Sequence, residues 1–196
     1  MARQVVKGGL LALLLTSLFG AGHTQASEPA SVYLRCTMSP EQYAAAMAAP
    51  LGQAKDFDDW QKWFDGADLY GSGKVDADSL RDSDTANLEQ LTQAWVGRHD
   101  LSSYDPKTGR WQFALLQFTE NYGEMIQLLA PLRTVAPYCT PDSDSFLLIW
   151  GPVWGNGVNA YLPLSNKRSR FAAKPTPAQL KEADAVLDTL MSSAEN

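Results

Sequence analysis

The apolar positions of the chain change period several times, and each change marks an element. From Ser31 to Thr37, Val32, Leu34 and Cys36 alternate with Tyr33 and Arg35, the two-residue period of a half-buried strand. Ser39-Pro40-Glu41-Gln42 follows at once, with a capping serine, a proline at the first helical position and a glutamine placed to close a capping box. Tyr43 and Met47 share the face of that helix, and Pro50 marks its end. From Asp56 to Phe64 the spacing of Phe57, Trp60 and Phe64, with Trp63 beside them, predicts an amphipathic helix with Asp58 and Asp59 near its start. Gly66 to Ser79 is rich in glycine and aspartate and reads as a surface loop. A third helix beginning at Asp84 or Thr85 carries Leu88, Leu91 and Trp95 and stops at Gly97.

The second half opens on a turn signal, Pro106 to Gly109, leading into Trp111 to Thr119. That run is apolar at both odd and even positions, as in a strand covered on both faces. Asn121 is placed to cap a helix with Met125, Leu128, Leu129 and Leu132 on one stripe and Pro131 as a kink. Phe146 to Trp150 reads as another buried strand, and Val158 to Leu164 returns beside it across Asn156-Gly157, with Pro163 putting that last strand at an edge. Thr176-Pro177-Ala178-Gln179 repeats the opening cap, before a helix carrying Leu180, Ala183, Leu187 and Leu190. The predicted order is strand, helix, helix, helix, strand, helix, strand, strand, helix. It describes an α+β domain with a mainly antiparallel sheet of about four strands and helices packed over it.

Ahead of these elements, Arg3 and Lys7 precede an apolar run from Gly8 to Phe19, and small and polar residues follow to Ala26. This is the pattern of a secretory signal peptide, residues 1–26, too short in its apolar part to span a bilayer. The expected mature protein is one globular domain, residues 27–196, in the periplasm or outside the cell, with no membrane insertion after cleavage. The formal net charge is −6, and losing Arg3 and Lys7 makes it two units more negative. Such a surface repels nucleic acid and anionic lipid and attracts a basic partner. In an exported chain two cysteines far apart, Cys36 and Cys139, read as one structural disulfide, which removes thiol chemistry.

Few groups remain for catalysis. Of the two histidines His23 leaves with the leader, and His99 has no Gly-x-Ser-x-Gly sequence to serve. The aspartates between Asp56 and Asp84 lack EF-hand spacing, since the sixth position counted from Asp76 is Arg81 where that loop needs glycine. They read as a solvated acidic face, and no metal or cofactor is expected. Gly71-Ser72-Gly73-Lys74 lacks the phosphate-loop spacing. A hydrolase of cell-wall sugars or peptides using paired carboxylates is the alternative reading.

Binding is the leading one. Trp111 and Trp150 fall within strands, whereas Trp154 sits in the loop Gly151 to Gly157. Tryptophan and tyrosine are favoured interface anchors, and an acidic loop suits a basic partner. The candidate interface residues are therefore Trp154, Asn156, Asp65, Asp68, Tyr70, Asp76 and Asp78. Phe118-Thr119-Glu120-Asn121-Tyr122, the helix running on to Tyr138 and the strand Phe146 to Trp150 together resemble small exported immunity proteins that neutralise toxins of competing bacteria. That resemblance implies an inhibitor that covers the active site of a basic toxin or enzyme, and it assigns no individual residue.

Overall fold

The first predicted strand lies in the middle of the molecule. In a computed structural model describing residues 29–66, 73–80, 84–95, 100–119, 121–150, 158–165 and 168–194, β1 (Ala30–Thr37) pairs antiparallel with both β3 (Arg110–Thr119) and β4 (Phe146–Trp150). Outside these lie β2 (Asp100–Asp105) on one side, and β5 (Val158–Ser165) and the two-residue β6 (Arg168–Ser169) on the other. The helices are α1 (Pro40–Ala48), α2 (Trp60–Gly66), α3 (Leu88–Trp95), α4 (Tyr122–Arg133) and α5 (Pro177–Ala194). The chain is thus α+β as expected, with six antiparallel strands among the described residues where about four were predicted. Segment 1–26 and the Asn156-Gly157 turn lie outside the described residues.

Period-two patterning separates the two faces of the sheet. Val32, Leu34 and Cys36 of β1, Trp111 and Phe113 of β3 and Leu147 and Ile149 of β4 share one core with α1 to α4. Tyr33, Ala114, Phe146 and Leu148 point the other way, against Ala183 and Leu187 of α5. Because α5 covers this second face, β1 is buried on both sides, and the expectation of a half-buried strand is corrected. Tyr33 is fully buried and Arg35 nearly so.

The Arg35 guanidinium, buried there, needs partners to offset the cost of leaving water. It contacts Glu182 of α5 at 2.9 Å and Asp144 at 3.0 Å, and stands over the Phe146 ring. The Tyr33 hydroxyl donates to Glu182 at 2.7 Å and accepts from the Gln112 amide at 2.7 Å. Gln179 reaches Asp144 from α5 and accepts from Tyr161. Burial holds the Tyr33 phenol far above the ordinary tyrosine value; the Gln112 bond opposes this and Glu182 adds to it.

On the opposite face Cys36 and Cys139 form the expected disulfide, with Cα atoms 5.4 Å apart, tying β1 to the segment between α4 and β4. A second buried cation, Arg133 at the end of α4, contacts Asp59 at 2.8 Å and donates to Ser169. Its guanidinium lies 3.9 Å from the Phe57 ring centre and 4.7 Å from that of Trp60. Burial lowers its pKa, and Asp59 works against that shift.

The predicted caps form as read. Ser39 and Gln42 close a box at α1, Thr176 and Gln179 do so at α5, and Asn121 accepts from Gly123 and Glu124. Two helix starts are corrected. α2 begins at Trp60, after a 3-10 turn over Ala54–Asp56, and the carbonyl of Asp59 just ahead of it accepts from the Trp63 amide. α3 begins at Leu88, since Asn87 accepts from Gln90 and supplies the cap.

Three measurements follow from these contacts. Replacing both cysteines with alanine should lower stability in urea by up to about 4–5 kcal/mol, the loop-closure value for a ring of about 100 residues. Asp59→Ala should cost about 3–5 kcal/mol by stranding Arg133, and the paired change Asp59→Leu with Arg133→Met should cost less than that single change. Tyr33 predicts an alkaline limit. The unfolded chain ionises this phenol near pH 10 whereas the folded chain resists, so its stabilising contribution is complete below pH of about 10 and is lost as pH rises through the folded value. Tyr33→Phe should lower Tm at pH 8 yet flatten its fall above about pH 10; an unchanged slope contradicts the assignment.

Candidate binding groove

The turn between β2 and β3 is built by its own side chains. Asp105 accepts from the Lys107 amide at 2.9 Å and from the Thr108 hydroxyl at 2.8 Å, and Gly109 closes the turn at φ +67°. A Cβ at Gly109 would stand 2.6 Å from the Met38 carbonyl oxygen, so glycine is required twice over. The Gly109 carbonyl accepts from the Met38 amide at 2.8 Å, and the Tyr104 hydroxyl donates to the Met38 carbonyl at 3.0 Å. Met38 immediately precedes the cap of α1, so these bonds fix the β2–β3 hairpin against the start of that helix.

Tyr104 also stacks on Tyr43 of α1, with ring centres 4.1 Å apart and planes 6° from parallel. α3 packs beside α1, with Leu88 and Leu91 buried in the core that the two helices share. An open groove of about 520 Å³ remains between the two helices and β2, lined among others by Tyr43, Met47, Glu89, Thr92, Gln93 and Ser102. Ala44 and Ala48 contribute only methyl groups to its wall, which leaves the space open.

Three carboxylates bear on this aromatic pair. Burial raises the pKa of Tyr43, and the charge of Glu89 raises it further. Desolvation likewise raises that of Tyr104, with Glu41 and Asp105 adding to the effect. Three residues beyond Thr92 on α3, Trp95 is 39% exposed, the exposed large hydrophobic residue among those described. Leu88 and Leu91, which the sequence places on the same helix, are buried, whereas the Trp95 ring is at the surface.

The predicted interface residues fall elsewhere. Asp65 is exposed at the end of α2 and accepts from Gln61, while Asp76 and Asp78 are exposed around a 3-10 turn over Ala77–Ser79. None of these three lines the groove. Asp68, Tyr70, Trp154 and Asn156 lie outside the described residues, as does His99. Among the described residues, no group of three or more histidine, cysteine, aspartate or glutamate side chains is placed to hold a metal, and no helix is long and apolar enough to cross a membrane. The groove residues come from three separated segments, so no local motif marks them. The usable signal was narrower: Tyr43 follows the Ser39 cap, and Tyr104 directly precedes the turn that begins at Asp105. No family model, curated protein or solved structure matches this chain.

Proposed function

We propose that this is an exported binding protein that inhibits a basic protein partner, in the manner of the immunity proteins it resembles, and that the α1–α3–β2 groove is its contact surface. The observation that carries this reading is the stacked Tyr43–Tyr104 pair with Glu41, Glu89 and Asp105 acting on it. Aromatic faces attract arginine and lysine through their ring quadrupoles, and nearby carboxylates strengthen the attraction. The groove is partly open to solvent, so a segment of a protein can reach into it. Trp95 on the same helix adds an aromatic anchor of the kind concentrated in interfaces. The acidic net charge attracts a basic protein to the molecule from a distance.

Site-specific cross-linking tests the surface and the partner together. A photoreactive residue at Gln93 in the groove should capture a basic protein from the native cell envelope, whereas one at Ala185, exposed on α5, should not. Equal capture at both positions, or an acidic partner at Gln93, would overturn the reading.

A further inference from the structure

The groove ends against a strand whose outer side pairs with no other strand among the described residues. β2 is the terminal strand of the sheet, and its register with β3 runs unbroken from Asp100↔Leu115 to Asp105↔Arg110. In such a strand alternate residues turn their N–H and C=O groups away from the neighbour. Terminal strands are commonly protected by lysine, proline or a bulge. β2 has none of these, and aspartate stands at both of its ends. Against a second copy of this acidic chain, that edge would set carboxylate beside carboxylate. Against a basic segment the exposed Glu89 of the groove wall is complementary.

The side chains agree with the backbone. Ser102 lines the groove and Tyr104 stacks on Tyr43, so the groove side of β2 is the side carrying the aromatic pair. A strand added about 4.8 Å beyond β2 would project every second side chain over that side.

Resting on the reading above, we infer that β2 receives an extended basic segment of the partner as a further strand, with one of its cationic side chains seated over the Tyr43–Tyr104 pair. Main-chain bonds supply the attachment in this mode, and the alternating side chains supply selectivity. Neither contribution requires the partner segment to be folded beforehand.

The protein lacking residues 1–26 can be titrated with a fluorescent eight-residue peptide alternating arginine and valine. The comparisons are a glutamate–valine counterpart and two peptides N-methylated on alternate residues, one in each register. The arginine peptide should bind saturably and its glutamate counterpart should not. One methylated register should bind at least tenfold more weakly and the other near the parent, because only one row of peptide amides faces β2. Glu89→Lys, at an exposed position, should weaken the arginine peptide by at least threefold. Indifference to methylation in both registers overturns strand addition. If Glu89→Lys still weakens that peptide, the groove reading survives on side-chain contacts alone. Absence of peptide binding, or dimerisation of the protein through β2, also overturns strand addition; capture at Gln93 then decides the groove reading independently.

Discussion

A guanidinium in the middle of a sheet constrains everything around it. Arg35 lies on a strand paired on both sides and covered on both faces, where an unpaired charge would be prohibitively expensive. Glu182 meets it from α5, and Asp144 meets it from the loop before β4. The position of the last helix is thereby tied to the first strand through a pairing that spans most of the chain. Tyr33 and Gln112 extend the same network into β3, so β1, β3, the loop before β4 and α5 share one set of polar contacts. Hydrophobic burial at Ala183 and Leu187 holds α5 on the sheet, but it is non-directional; the polar network fixes where along the sheet the helix rests.

The other face solves a similar problem differently. Arg133 is surrounded by aromatic rings and held by Asp59 and Ser169, which joins α4, the approach to α2 and β6 in one cluster. Each face therefore has an apolar layer oriented by one buried arginine. The groove lies towards the β2 end of the sheet, away from both, where α1 and α3 meet the hairpin. Tyr43 lines it, and Tyr104 stacks on Tyr43 while bonding to the Met38 carbonyl, so that wall is tied to the junction of the hairpin with the start of α1.

What was legible in the sequence was local. Capping boxes at Ser39 and Thr176 and the cap at Asn121 are short-range chemistry, and they form as the spacing indicates. The apolar runs of β3 and β4 announced buried strands because both of their faces meet a core. β2 carried no comparable signal: Asp-Leu-Ser-Ser-Tyr-Asp is polar because it lies at an edge, and the hairpin turn had to imply it. Asp58 and Asp59 are neighbours in a run of similar aspartates, yet Asp58 pairs with Arg170 at the surface and Asp59 is buried against Arg133. Only the tertiary arrangement distinguishes them. The groove was hidden for the same reason, since Tyr43, Glu89 and Ser102 become neighbours through packing and not through spacing.

The disulfide has a bearing on damage as well as on folding. Cys36 and Cys139 bracket α1, α2, α3, β2, β3 and α4, so every groove residue named above lies between them in sequence. A single cut of the backbone anywhere in that stretch, including the glycine- and aspartate-rich segment after α2, leaves two pieces still covalently joined through the centre of the sheet. Because neither half-cystine is exposed, that joint is also shielded from thiols while the core stays closed. The molecule is, in effect, a closed ring over the part of the chain that forms the groove, and a nick opens the ring without releasing either piece.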